Sequence, residues 1–202
     1  MGFSYQHNDS RAQKVALRRI ILAGRRSLAP VTRRAADTAI VAEALSQAQT
    51  HRERLGRTVT VAAYFPLSDE PGAGLADRLV DDGHRVLLPV LLTDGDLDWG
   101  VYTGRTAPGP GRLTEPLEPH LGPDAIAEAD LVLVPALAVG ADGTRLGRGG
   151  GSYDRALARV APERPVMALL YVGEWPREVT AQPHDRPVTG VITPDGSATV
   201  SQ

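Results

Sequence analysis

Apolar residues along this chain follow two rhythms, a helical one in the first quarter and short strand-like runs after it. Residues 1–9 form a polar, frayed start, with Asp9 or Ser10 in the N-cap position. Leu17, Ile20, Ile21, Gly24 and Leu28 then recur at helical spacing until Pro30 closes the segment. At about 100° per residue, Lys14, Arg18 and Arg25 fall in a narrow arc beside that stripe. A second helix is predicted from Thr32 to about Gln49, turning Ala36, Ile40, Val41 and Leu45 inward. The period then shortens. Thr58 to Phe65 and Arg85 to Leu92 read as buried strands, separated by a turn from Pro66 to Gly72 and a short helix from Leu75 to Val80. Leu97 to Tyr102 reads as a further strand. Residues 103–124, rich in glycine and proline, read as an ordered surface loop. A short helix near Ala125 leads to a strand at Leu131–Val134. A helix from Tyr153 to Val160 and strands at Val166–Tyr171 and Val188–Ile192 complete the pattern.

Strands alternating with helices predict an α/β fold, a three-layer, Rossmann-like arrangement with a mostly parallel central sheet flanked by helices. Such sheets collect ligands at the carboxyl ends of their strands. The Asp69-Glu70 turn and the glycine-rich stretch beyond Val134 both follow strands, so they are expected to share one cleft. With no repeat and no composition break, residues 1–202 are expected to form one domain.

Composition narrows the chemistry. Aromatic residues make up 4% of the chain, so its core must be assembled from Leu, Val, Ile and Ala. A formal net charge of −2 gives no global attraction to nucleic acid or to an anionic membrane, and neither is expected as a partner. The absence of cysteine excludes a disulfide framework, a thiolate zinc site and a cysteine nucleophile. The chain has no apolar run of about 18 residues and no apolar segment at its polar start, so a cytoplasmic protein is expected. The five histidines show no metal-ligand spacing. Trp99 and Trp175 read as packed surface residues in preference to platforms for a planar ligand.

The candidate chemistry lies in Asp130–Arg155, DLVLVPALAVGADGTRLGRGGGSYDR. Gly147, Gly149, Gly150 and Gly151 sit within five residues, with Arg148 among them and Arg145 just before. A turn of this kind between a strand and a helix lets backbone N–H groups face an anion, and arginine adds charge-assisted contacts to phosphate oxygens. Asp154 stands where a magnesium ion bridging phosphates would take a hard oxygen ligand. The alternative is a mobile turn with solvated arginines and an acidic residue favoured in a first helical turn. A P-loop is absent, and the run only loosely matches the dinucleotide fingerprint.

The segment from Arg145 to Arg155, preceded by Val134-Pro135, resembles the signature of the 5-formyltetrahydrofolate cyclo-ligase family. Lys14-x-x-Leu17-Arg18 is similar to that family's N-terminal helix, and Asp69-Glu70-Pro71 to its acidic substrate turn. Glu115-Pro116 and His184-Asp185, with the strand into Val191-Ile192-Thr193-Pro194, resemble its later landmarks, in the right order. The resemblance implies ATP-dependent cyclisation of 5-formyltetrahydrofolate to 5,10-methenyltetrahydrofolate through a phosphorylated imidate, with ADP and phosphate released. It implies Mg²⁺ with ATP, and a monomer is expected. Carried over, Lys14, Arg18, Arg145, Arg148 and the backbone of Gly147, Gly149, Gly150 and Gly151 would hold ATP. Asp154 would ligate the metal, Glu70 would bind the pterin, and Arg145 and Tyr153 would stand beside the reacting group.

The chain departs from the pattern at Ser152, where tyrosine is common, and at Gly140, where aspartate is frequent. Ala136 and Val139 replace the usual Gly and Phe, and Asp142 is a nearby carboxylate for the missing one. Two other classes compete: a sugar-phosphate isomerase or CoA-transferase relative, and a non-catalytic nucleotide-binding homologue.

Overall fold

Two long helices open the chain, α1 (Phe3–Ser27) and α2 (Pro30–Leu55), joined by Leu28-Ala29. The computed structural model describes residues 3–117, 119–182 and 185–200, with side chains from residue 10 onward. Met1 and Gly2 of the expected frayed start lie outside the described residues. From Phe3 the chain is already helical, so Asp9 and Ser10 are interior residues and neither caps the helix. Pro30 begins α2 at its first turn, where a missing N–H costs nothing. Helix α2 runs past Gln49 until Gly56, in the left-handed conformation, ends it.

The face of α1 that packs is rotated toward its cations. Ile21, Lys14 and Arg25 are buried, whereas Ile20 is 60% exposed. In α2 the inward residues are Asp37, Ile40, Val41, Ala44 and Ala48, with Ala36 and Leu45 at the margin.

The central sheet comprises β1 (Thr60–Ala62), β2 (Arg85–Leu91), β3 (Leu97–Val101), β6 (Leu131–Pro135), β9 (Val166–Leu169), β10 (Gly190–Thr193) and β11 (Gly196–Thr199). Their order is β11-β10-β9-β6-β1-β2-β3, and the five inner strands are parallel while both edge strands are antiparallel. Strand β6 shows why these runs read as continuously apolar. Leu131 and Leu133 face one core with α2 and α3 (Leu75–Asp81), and Val132 and Val134 face the other with α4 (Ser152–Leu157). A parallel strand covered on both faces leaves no side for polar residues. Three layers result, as the pattern predicts.

The segment read as a surface loop carries a hairpin of β4 (Thr106–Pro108) and β5 (Thr114–Pro116), followed by a 3-10 helix at Pro123–Glu128. Glu115 Oε1 accepts the Leu91 N–H at 2.9 Å, and Pro116 lies against Gly100, so the hairpin is held to the end of β2 by tertiary contacts. A second small hairpin, β7 (Ala138–Val139) with β8 (Arg145–Leu146), forms the base of the glycine loop. Trp99 is fully buried in the core rather than at the surface. Among the described residues no helix is long and apolar enough to cross a membrane.

Candidate active site

The direction of strand addition reverses between β1 and β6: the chain moves outward from β1 to β2 and β3, then returns to β6 on the other side. Crevices beyond the carboxyl ends of strands at such a reversal are the usual ligand sites of open α/β sheets. A cavity of about 390 Å³ lies there. One wall is largely apolar and comes from strand ends: Tyr64 and Phe65 beyond β1, Pro89 and Leu91 on β2, Leu97 on β3, and Leu113 of the β4–β5 hairpin. The other is basic and comes from α1 and the glycine loop. Every residue predicted for the site lines this one cavity: Lys14, Arg18, Glu70, Arg145, Gly147, Arg148, Gly149, Gly150, Gly151, Tyr153 and Asp154.

The small cluster of Ile21, Leu137, Ala138 and Leu146, with Leu17, Leu22 and Val179 packed against it, seats α1 on the β7–β8 hairpin. That contact presents Lys14 and Arg18 to the cavity. Lys14 Nζ donates to Asp185 Oδ2 at 2.9 Å, and Arg18 Nε donates to the Gly147 carbonyl at 2.9 Å. Burial is the main influence on Arg18 and lowers its pKa, against the attraction of Asp185. The loop itself needs glycine at Gly149 and Gly151, where φ is 103° and 72°.

Arg145 is 6% exposed. Its Nη2 donates to Asp154 Oδ1 at 3.0 Å and its Nη1 to the Pro135 carbonyl at 3.3 Å, and its guanidinium lies 5.6 Å from the centre of the Tyr153 ring. Its Nε is buried without a hydrogen-bond partner, a donor that a buried site ordinarily matches to something. Burial pushes the Tyr153 phenol well above its ordinary pKa, and the Glu70 charge pushes the same way, so Tyr153 stays protonated at neutral pH.

Arg148 leaves the glycine loop and reaches the acidic turn. Its Nε donates to Glu70 Oε1 at 2.7 Å and its Nη2 to Asp69. Glu70 Oε2 accepts the Leu67 N–H at 2.9 Å, which fixes the carboxylate at the mouth of the turn. The turn is held from beneath by Arg25, whose Nη1 donates to the Asp69 carbonyl at 3.2 Å, and by Tyr64, whose hydroxyl donates to the Pro71 carbonyl at 2.8 Å.

Sequence reasoning gives α4 a length to Val160, but the helix ends at Leu157 after six residues. So short a helix aligns few peptide dipoles, and attraction of anions falls to the side-chain cations and loop amides. The Asp142 carboxylate occupies the space beside Gly140, its Oδ1 2.5 Å from where a Cβ on that residue would be; it accepts from the N–H and hydroxyl of Thr144 at 3.0 and 2.8 Å and is not among the cavity-lining residues. Trp175 also lies away from the cavity lining, its ring packed against the core. Gln182 and Asp185 line the cavity and carry no site role in the sequence reading. Asp185 was legible only as half of a His-Asp pair, and His184 lies outside the described residues. Phe65 and Leu113 gave no signal, because an apolar residue at a strand end looks like core.

Residues 10–194 match the model of the 5-formyltetrahydrofolate cyclo-ligase family. A 5-formyltetrahydrofolate cyclo-ligase of Mycolicibacterium smegmatis is 42% identical over 188 residues, covering 90% of this chain and 93% of that protein. The chain belongs to the 5-formyltetrahydrofolate cyclo-ligase family. It is therefore an enzyme of the ligase class, and the alternative of a sugar-phosphate isomerase or CoA-transferase relative falls away. The cyclo-ligase fold is met again in the 5,10-methenyltetrahydrofolate synthetase of Aquifex aeolicus. That structure superposes with a TM-score of 0.74 at 22% identity, covering 94% of this chain and 93% of its own. The synthetase of Mycoplasma pneumoniae gives 0.69 at 21%, covering 90% and 98% respectively.

Proposed function

We propose that this protein cyclises 5-formyltetrahydrofolate to 5,10-methenyltetrahydrofolate, with ATP converted to ADP and phosphate. The observation that carries this reading is the asymmetry of a single cavity. Lys14, Arg18, Arg145 and Arg148 line one side, leucines and aromatic rings line the other, and the nearly buried Glu70 lies where they meet. A polyphosphate suits the first side and a pterin with its aminobenzoyl ring suits the second.

An amide oxygen is a poor leaving group, and phosphorylation makes it a good one. The formyl oxygen attacks the γ-phosphorus, the bond to ADP breaks, and a phosphorylated imidate forms. N10 of the folate then attacks the activated carbon and gives up its proton, and the carbon–oxygen bond breaks to release phosphate as the ring closes. No protein nucleophile is needed. Catalysis rests on positioning and on neutralising phosphate charge.

Lys14, Arg18, Arg145 and the amides of Gly147 to Gly151 would hold the phosphates, with Arg148 contributing. Arg145, which lines the cavity and is bound to Asp154, would carry its charge to the phosphates beside that carboxylate. Among the described residues no three metal-ligating side chains gather. That fits magnesium, which keeps several waters and binds through one or two carboxylates plus substrate phosphates. Asp154, which lines the cavity, would hold it, and the ion would supply further neutralisation of the phosphate oxygens. Glu70 would accept the pterin N–H groups. Tyr153, protonated, would act as a wall and hydrogen-bond donor rather than a base. The enzyme would work as a cytoplasmic monomer without nucleic acid or membrane partners.

The test mixes the folded protein with 5-formyltetrahydrofolate and Mg-ATP and follows the absorbance of the methenyl product. ATP-dependent product is expected; well-folded protein that yields none would end the proposal.

A further inference from the structure

Arg148 touches both sides of the cleft. Its backbone lies in the glycine loop between Gly147 and Gly149, while its guanidinium is bound to Glu70 and Asp69 of the opposite turn. The loop is tied down at Gly147 by Arg18, and Gly149, with φ of 103°, lets the chain turn sharply just beyond Arg148. Movement of this side chain therefore needs no change in the sheet or in α1.

Glu70 has little room for a second partner. The residue is 9% exposed, its Oε2 is committed to the Leu67 N–H, and Arg148 Nε approaches Oε1 at 2.7 Å. Mutual attraction also shows on the arginine: burial works to lower the Arg148 pKa, but the Glu70 bond and the two carboxylate charges outweigh it and raise it. A ligand presenting paired N–H donors to Glu70 competes with Arg148 for Oε1.

We propose that Arg148 is a coupling residue, shared between the acidic turn and the nucleotide. A pterin binding Glu70 displaces the guanidinium, which then turns to the phosphates on its own side of the cleft. The inference rests on the two-substrate function proposed above and adds that the two substrates assist each other's binding. The ion pair to Asp69 is the second contact the guanidinium gives up as it turns. Binding linkage is reciprocal, so the nucleotide must favour the folate by the same factor.

Calorimetric titration with Mg²⁺ and the β,γ-imido analogue of ATP tests this without turnover. Saturating 5-formyltetrahydrofolate is expected to lower the nucleotide Kd by about ten-fold in the wild type, within the usual range for coupled sites. In Arg148→Ala the same addition is expected to leave the nucleotide Kd unchanged. Glu70→Gln is expected to tighten nucleotide binding in the absence of folate, and to have no effect in the Arg148→Ala background. That cycle separates a released arginine from the general loss of a negative charge. Three results would overturn the coupling: a wild-type nucleotide Kd indifferent to folate, coupling that persists in Arg148→Ala, or a Glu70→Gln effect equal in both backgrounds. If both ligands bind the wild type independently, the cyclo-ligase reading stands and the coupling alone fails. If neither binds, the function proposed above fails and the coupling with it.

Discussion

Arg25 and Arg145 are both buried, both face a carboxylate and both lie over a tyrosine ring, at 5.5 Å from Tyr171 and 5.6 Å from Tyr153. Arg25 grips both oxygens of Glu174 at 2.7 Å, donates to the Ala136 carbonyl at 2.6 Å, and reaches the Asp69 carbonyl. Each of its nitrogens is used, and it is 1% exposed. Arg145 lines the cavity, meets one oxygen of Asp154, keeps a longer contact to Pro135, and has a buried Nε without a partner. The same pair of functional groups thus serves as a brace in one place and as unfinished chemistry in the other. What distinguishes them is the count of satisfied donors, more than burial or partner type.

The brace is costly to hold. Burial pushes the Glu174 carboxyl above the ordinary carboxylate range even against the pull of Arg25. Removing one member should therefore hurt more than removing both. Arg25→Met is expected to cost about 3–5 kcal/mol of stability, read from denaturant unfolding, with much of it restored in the Arg25→Met, Glu174→Leu double variant. An unfolding curve for Arg25→Met that matches the wild type would show that the pair braces nothing.

A third arginine site sharpens the contrast. The Asp130 carboxylate is buried but receives Arg57 in bidentate fashion, Arg164, and the Thr60 N–H. Burial works to raise its pKa, but those bonds outweigh it and hold it below the usual range. A carboxylate with a depressed folded pKa contributes stability above its unfolded pKa, and that stability is lost as pH falls through the folded value. Asp130→Asn is expected to lower the thermal midpoint at neutral pH by roughly 3–6 °C, the scale of 1–2 kcal/mol in a chain of this size. The deficit should shrink progressively below about pH 4, the ordinary aspartate range. A deficit independent of pH would mean that Asp130 contributes shape and not charge.

In the cavity, Lys14 is a point charge with three donors, one of them bound to Asp185. Lys14→Ala is expected to raise the KM for ATP about five-fold while the unfolding midpoint moves little. An unchanged KM would take α1 out of the nucleotide site.

The sheet was readable because parallel strands buried on both faces are continuous apolar runs, as at Leu131–Val134. The cleft was readable because two polar turns each followed such a run. The buried face of helix α1 is not legible from its apolar stripe alone. Lys14 and Arg25 count as surface residues by composition, and only partners 171 and 149 residues away allow them to be buried. The β4–β5 hairpin leaves no sequence signal because its strands have three residues each and draw their stability from Leu91 and Gly100. The place of Arg148 among glycines points it at phosphates, whereas its bonds go to Glu70 and Asp69. Local sequence fixes where a side chain begins; the opposite wall decides where it ends.

Under the proposed function, Arg145 serves the nucleotide while the fully bonded Arg25 serves the fold. The most direct test is the KM for ATP of Arg145→Ala at saturating 5-formyltetrahydrofolate, measured beside its unfolding midpoint. Arg145→Ala is expected to lose at least about 100-fold in kcat/KM for ATP, the scale for removing a buried charge-stabilising donor, with a smaller fall in midpoint than Arg25→Met because Asp154 is more exposed than Glu174. Wild-type ATP kinetics, or a collapse of stability like that expected for Arg25→Met, would contradict it.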